Sequence, residues 1–563
     1  ARFIGTNHVD NSARLCHSAS TSAMKRTLGY GATTCSYSDW IGADLVVFFG
    51  SNAANNQPVS MKYLDAARRA GTRVAIVNPY DEPGMRRYWV PSVPESALFG
   101  TKIADERFRV RTGGDLAFLV GVFRILCEEG WVDREFVERS TAGFAEAAAS
   151  AASAEFDRLE RDSGTTRAEM RRFAELLRDA KNAVFVWSMG LTQHAHGTET
   201  IEALVNVGLA RHYVGREKNG IMPIRGHSGV QGGAEVGAVP SLADPARWGA
   251  VWGFPVPDFP GLSAAEQVEA ARRGEIDVFW IVGGNFLETL PEPRRSREAL
   301  EAVETRIHHD IVLSSQMLVP PKDLVVLFPA TTRYESPGGG TETSTERRII
   351  FSPEVPGPRI AGARAEWEVF ADVARRVHPE RADRLRIDSS AQLREEIGRA
   401  VPLYAGIERL ARKGDSFQWG GPRLFADGVF ATPDGKARFT AVALPGRPAA
   451  AGTFTVSTRR GKQFNSMVQH EIDPLNGAAR RDVLIAGEDA RTLGIAEGDA
   501  VRLTSASGTF EGFARIAPIH PGDLQVHWPE GMELLAGGRL DPRSLEPDYN
   551  AVVTLEKASR RTS

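Results

Sequence analysis

Residues 11–20, NSARLCHSAS, set Cys16 directly against His17 among small, mostly polar neighbours. A cysteine that fills a core sits among aliphatic side chains, and here Leu15 is the only large apolar residue beside it. Packing, nucleophilic attack and metal ligation are the three uses open to such a thiol. A cysteine hydrolase is poorly served, because sequence neighbours rarely orient as nucleophile and base, and no GxCxG-type elbow frames Cys16. The second unusual stretch is IMPIRGHSGVQGGAEVG, residues 221–237, with Arg225 followed by Gly226, Gly229, Gly232 and Gly233. Glycines let a ligand approach the backbone, and the guanidinium fork can grip a small carboxylate at two points.

The elements that must hold these groups come in two textures. From Asp44 to Pro329, the apolar runs LVVFFG, RVAIVN, NAVFVW, DVFWIVGG, DIVLSS and LVVLFPA alternate with the helical patterns SMKYLDAARRAG, DLAFLVGVFRILCEEG, RAEMRRFAELLRDA and TIEALVNVGLARHY. Continuous apolar strands with intervening helices predict parallel sheets covered on both faces. After Trp367 come the helical segments EVFADVARRV and AQLREEIGRAV, then a Gly/Pro-rich passage with the linker-like GRPAAAG. Short alternating runs follow (FTVSTRR, DAVRLTSASG, TFEGFARIAP, DLQVHWP, NAVVTLEK) and predict a C-terminal β-barrel. The expected architecture is therefore doubly wound α/β, in more than one unit, plus that barrel. The expected boundaries are 1–227, 228–385, a helical connection and linker over 386–450, and 451–563.

In doubly wound sheets ligands lie beyond the carboxyl ends of the strands. The first such end, GSNAANNQP, offers Gly50, Asn52, Asn55 and Asn56, although Asn and Gly also make plain turns. RTGGDLAFL places Asp115 at the N-cap of a long helix. SMGLTQHAHG, GGNFLETLP and PATTRYESPGGGTET end three further strands. No GxGxxG precedes a helix and no P-loop occurs, so spread-out polar loops would have to hold a large, elongated ligand.

Composition narrows the classes. Lys plus Arg total 68 against 71 Asp plus Glu, a formal charge of -3, so no global basic surface points to nucleic acid. The apolar runs are strand-length, well short of the roughly 20 residues of a membrane span. Three cysteines with no CxxC pair suit a reducing, cytoplasmic setting. Cys35 and Cys127 read as structural thiols. The start ARFIGTNH, without Met, charged leader or apolar core, reads as a truncated or processed product.

Taken together, NHVDNSARLCHS, FFGSNAANNQP, TGGDLAFL, WSMGLTQHAHGTET, IMPIRGHSGVQG, GGNFLETLP and the terminal β unit resemble the molybdopterin oxidoreductase family, in order and over essentially the whole chain. The branch most similar is the formate-dehydrogenase-like alpha subunits. The resemblance implies molybdenum held by two molybdopterin guanine dinucleotides between two α/β domains and under a barrel. It implies Cys16 as the metal ligand, His17 as an active-site histidine able to receive a proton, and Arg225 as the residue that orients formate. By the same resemblance Asn52, Asn55 and Asn56 line one dinucleotide, Asp115 reaches a guanine, and Gly190 and Gln193 lie near a pterin. Asn285, Asp310 and the loop from Glu335 to Thr341 serve the second dinucleotide, and Arg459, Gln463 and Asn465 of STRRGKQFNS close over both pterins. The family's iron–sulfur cysteines precede the present first residue, so a [4Fe-4S] cluster is expected only outside this chain, and electrons would leave through it or a partner subunit. Two departures bear on function: RGHSGVQG lacks the polar amides that formate enzymes carry after RG, and WPEGMELL has Met532 where an Asn is expected. A related oxidoreductase of another small substrate, or a catalytically inactive subunit of an electron-transfer complex, are the alternatives.

Overall fold

The structure is a computed structural model that describes residues 1–90, 92–227, 229–446, 452–461 and 470–558. The chain folds as two compact units, each built from separated segments: residues 1–15 with 227–421, and residues 16–226 with 422–563.

The larger unit contains a parallel sheet of β1 (Leu45–Phe49), β2 (Arg73–Val77), β3 (Glu106–Phe108), β4 (Ala183–Trp187) and β5 (Gly220–Pro223), in the order β3-β2-β1-β4-β5. Every residue of β1 and β4 is buried, as their unbroken apolar runs require. Leu45 sits level with both Arg73 and Ala183, so the chain builds outward on one side of β1 and then returns to build on the other. That reversal leaves a crevice at the carboxyl ends of β1 and β4. Helix α1 (Ser18–Leu28) has no counterpart among the expected patterns, whereas α2 (Asp115–Glu128), α3 (Arg167–Asp179) and α4 (Gly197–Ala210) follow theirs. Asp115 is the first helical residue and not the cap; Gly114 occupies the cap position.

The smaller unit holds a second parallel sheet, β6 (Val278–Val282), β7 (Thr305–Asp310) and β8 (Leu324–Pro329), with β7 central. Helices α5 (Ala264–Arg272) and α6 (Pro293–Ala302) pack one apolar cluster against it through Val268, Ala271 and Ala299. Two expectations fail here. The segment DIVLSS is not a strand: β7 is TRIHHD, ending at Asp310, and Ile311, Val312 and Leu313 are exposed. The strand is disguised by polar residues that the fold buries, such as Arg306, whose guanidinium donates to the carbonyls of Gln316 and Val319. Nor is this sheet enclosed on both faces, since Val278, Val282, Leu324 and Leu327 are exposed. A small antiparallel sheet of β9 (Gly340–Thr343), β10 (Arg348–Ser352) and β11 (Ser416–Gln418), with helices α7 (Glu366–Val377) and α8 (Ser390–Ala400), completes the unit.

The C-terminal barrel belongs to the larger unit. Strands β12 (Thr453–Arg459), β13 (Asp482–Ile485), β14 (Ala500–Thr504), β15 (Thr509–Ile516), β16 (Asp523–His527) and β17 (Asn550–Lys557) close in the order β12-β16-β13-β15-β14-β17. Closure removes the sheet edges and encloses Val456, Val483, Val501, Leu503, Leu524 and Val553. The strand DVLI of β13 is the barrel element that the alternating pattern did not announce. Tyr80, which follows β2, packs with Leu484, Ala486 and Ile519, so barrel and sheet share a core.

Candidate active site and cofactor cleft

Cys16 and His17 lie where the chain enters α1, and both are buried. His17 Nε2 is 3.2 Å from the Ile224 carbonyl, which can only accept, so Nε2 carries the proton. Its Nδ1 then accepts from the Ser20 hydroxyl at 3.0 Å, and Ser20 Oγ in turn accepts from Trp187 Nε1 at 2.8 Å. This chain of bonds defines one neutral tautomer. Burial, reinforced by the Arg225 charge, lowers the His17 pKa to about 3. A proton acceptor near neutral pH, which the residue type alone suggests, is therefore not the state of this ring. What His17 does is tie the Cys16 segment to the residue that precedes Arg225.

Arg225 follows β5 and is anchored to α1 and its following loop, its Nη2 donating to the Gly31 carbonyl at 3.0 Å and to Thr21 Oγ1 at 3.3 Å. The Cys16 thiol is pushed up, first by burial and then by the nearby Glu546 carboxyl, while Arg225, Arg460 and the Gly226 N–H pull it back. A buried thiol between two arginines is stabilised as thiolate once a cation replaces its proton. All three cysteines are free; Cys35 is fully buried with its Sγ against Gly220, and burial pushes Cys127 up to about 12.

The crevice at β1 and β4 has a floor made of two glycines. Gly50 (φ +51°) and Gly190 meet backbone to backbone, and a Cβ at Gly190 would lie 2.5 Å from the Gly50 oxygen. One cleft opens from here and a second continues it, the two sharing Thr112, Gly113, Asp115, His194 and Asn550 in their walls and so forming one long groove. Asn52, Asn56, Gln193 and Arg459 line the first part. Arg111 and Arg539 stand in the second. Asn52 and Asn56 also serve their own turn, the Asn52 side chain accepting from Asn55 N and its carbonyl from Asn56 Nδ2. Asn55 instead turns inward to Asp473.

On the barrel side, Arg459 is buried, pairs with Glu82 at 3.1 Å and stacks over the Tyr80 ring. Gln463 and Asn465 lie outside the described residues. Met532 is fully buried with Leu535 and Tyr549, a core residue beneath the cleft wall. Among the described residues Ser457 Oγ and Arg459 Nε are buried without a hydrogen-bond partner, beside a groove walled by amides, hydroxyls and arginines. Those donors suit a long, polar, anionic ligand such as a pterin dinucleotide.

In the smaller unit Asn285 and Asp310 stand at the carboxyl edge of the sheet, after β6 and at the end of β7. The Asn285 amide donates to Ser315 Oγ at 2.8 Å, and Asp310 accepts from the Ile311 N–H. Glu335 is held below its usual range by the Thr332 N–H and hydroxyl, so it braces its own turn, and Thr341 pairs with Phe351 in the β9–β10 hairpin. Sequence reasoning missed Glu82, Asp473, His194, Tyr549, Asn550 and Glu546. Glu82 and His194 lie on strand-end loops of the sheet, whereas Asp473, Glu546, Tyr549 and Asn550 carry no local motif and reach the site only because the barrel returns to the sheet.

A parallel-sheet crevice joined to a barrel, with a soft thiol at its head and a long polar groove, defines an enzyme that works through a large bound cofactor. The molybdopterin oxidoreductase family model matches residues 1–376 and the molybdopterin dinucleotide binding domain matches residues 454–554. The chain belongs to the molybdopterin oxidoreductase family, whose members of this type carry molybdenum on two molybdopterin guanine dinucleotides. It is 28% identical to Protein YdeP of Shigella flexneri over 99% of this chain and 78% of that one. It is 26% identical to the protein named "Putative formate dehydrogenase YrhE" of Bacillus subtilis, over 97% of this chain and 56% of that one. Acetylene hydratase from Pelobacter acetylenicus shares the fold at a TM-score of 0.72 and 16% identity, over 99% of this chain and 84% of that one. Among the described residues no helix is long and apolar enough to cross a membrane.

Proposed function

We propose that this oxidoreductase oxidises formate to carbon dioxide, with Cys16 as the protein ligand of the molybdenum and Arg225 as the carboxylate clamp. The observation that carries the reading is the bond from His17 to the Ile224 carbonyl, which stitches the thiol segment to the arginine segment. YrhE, by its name, supports the same substrate at a distance. When bound, the cofactor supplies a two-electron acceptor. Arg225, already fixed by Gly31 and Thr21, offers the substrate a charge-assisted contact in a water-poor site. Formate loses two electrons and a proton on becoming carbon dioxide. His17 sets the polarity there, and it takes part in proton movement only by releasing Ile224 or Ser20. Gly50, Asn52, Asn56, Asp115, Gly190, Gln193 and Arg459 would hold one dinucleotide, with Asn55 bracing the loop from within, and Asn285, Asp310, Glu335 and Thr341 the other. Electrons would leave through a partner subunit or a [4Fe-4S] cluster outside this chain.

Metal analysis together with formate-dependent dye reduction on the full-length protein tests the reading. Molybdenum with turnover on formate supports it. A molybdenum-loaded protein inert to formate, yet active on another small substrate, refutes the substrate.

A further inference from the structure

Helix α1 begins immediately after Cys16 and His17 but has no cap of its own. His17 occupies the cap position without a side-chain cap bond, and no acidic residue lies in the first turn. Helix α4 likewise has a histidine, His196, at its cap position with no side-chain cap bond, although Glu199 lies in its first turn. Exposed N–H groups at a buried helix start need acceptors. Both helices find theirs on one loop of the barrel. Glu546, fully buried, accepts from the Ala19 N–H at 2.9 Å and from the Ser18 hydroxyl at 3.2 Å. Asp541, on the same loop, accepts from the Thr198 N–H at 2.9 Å and its hydroxyl at 2.8 Å. Between them Arg543 grips Glu202 of α4 through two contacts of 2.8 Å. Thr192 holds the same segment from the other side, its hydroxyl donating to the Cys16 carbonyl at 2.7 Å.

We propose that Glu546 is a positioning residue for Cys16 and His17: the barrel loop delivers the missing cap of α1 and thereby sets the thiol, while Asp541 anchors the loop on α4. The inference rests on Cys16 being the functional thiol, as proposed above, but not on formate being the substrate. Its mechanism predicts which substitutions are tolerated. In Glu546→Gln the amide oxygen can still accept from Ala19 and Ser18. Glu546→Ala removes every one of these bonds.

The test is the rate of iodoacetamide alkylation of Cys16 in the cofactor-free full chain at fixed pH, resolved by peptide mass spectrometry, with Cys35 as internal reference and amide exchange at Ala19 read in parallel. Glu546→Ala should raise Cys16 alkylation roughly tenfold, the scale of losing one helix cap, and speed exchange at Ala19. Cys35 should be unchanged, and Glu546→Gln, which loses the charge that raises the thiol but keeps the cap, should hold exchange at Ala19 within about twofold of the parent. Should the alanine variant not fold, Glu546→Asp, which draws the carboxylate back by one methylene, should show the same direction of change. Equal acceleration of Cys35, an unchanged Cys16 rate in the alanine or aspartate variant, or exchange at Ala19 as fast in the glutamine variant as in the alanine one would overturn the assignment. Because no substrate is used, a failure here is distinct from a failure of the formate reading.

Discussion

Arg225 and Cys16 sit in one buried neighbourhood, yet their losses should look different. Arg225→Ala keeps the thiol for the metal and removes a two-point contact, so molybdenum content should stay near the parent's while kcat/KM for formate falls about a hundredfold, on the order of 3 kcal/mol. Arg225→Lys should recover part of that, since a point charge replaces a fork. Cys16→Ser should abolish turnover by changing the ligand; near-parent turnover would remove Cys16 from the metal. Buried titratable groups give the cofactor-free chain a pH signature. The Glu546 carboxyl ionises near 4.5 when unfolded and about 7 when folded, so the folded chain binds more protons across that window. Its stabilisation is present below about pH 4.5 and is lost as pH rises through about 7, on the order of 3 kcal/mol. In Glu546→Gln that slope should vanish from denaturant titrations. His17 and His527 act oppositely: both are lowered from 6.5 to about 3, so the unfolded chain takes up protons first and stability falls as pH drops below about 6.5.

At the level of elements, the groove exists because two strand-end loops cross at a pair of glycines. Gly50 needs its positive φ, and Gly190 has no room for a side chain against the Gly50 backbone. Because the obstruction is backbone and not a flexible side chain, Gly190→Ala must push the β1 and β4 loops apart. A loss of about 2–3 kcal/mol in urea unfolding is expected, with weakened retention of the dinucleotide. Gly226, by contrast, has open space around its Cβ position, so Gly226→Ala should cost less than about 1 kcal/mol in the same measurement.

Across the larger unit, the barrel and the sheet are held by a buried ion pair as well as by the shared core around Tyr80. Arg459 sits between Glu82, which follows β2, and Asp473 of the barrel domain, with Glu82 and Asp473 both buried. Removing the cation alone strands these carboxylates. Arg459→Met should therefore cost about 3–5 kcal/mol, and adding Glu82→Leu should restore part of it, because Asp473 keeps its donors from Asn55 and the Leu475 N–H. Calorimetry of the single and double variants decides this; equal losses in both would mean that the pair does not join the two parts.

Strands β1, β2 and β4 of the first sheet, helices α2, α3 and α4 and most of the C-terminal barrel were legible from the chain because apolar periodicity carries them. β3, β5, β7 and β13 were not, since their polar or short segments gain strand character only from the neighbours they pair with. The neutral tautomer of His17 could not be read either, because it depends on a carbonyl 207 residues away. So too the cap of α1: a helix start without its own acceptor can be seen in the sequence, but which carboxylate reaches it from 527 residues along the chain is decided by how the barrel returns to the sheet. Local free energies are written in neighbouring residues, whereas burial, partner identity and the resulting pKa values are properties of groups that only the tertiary fold brings together.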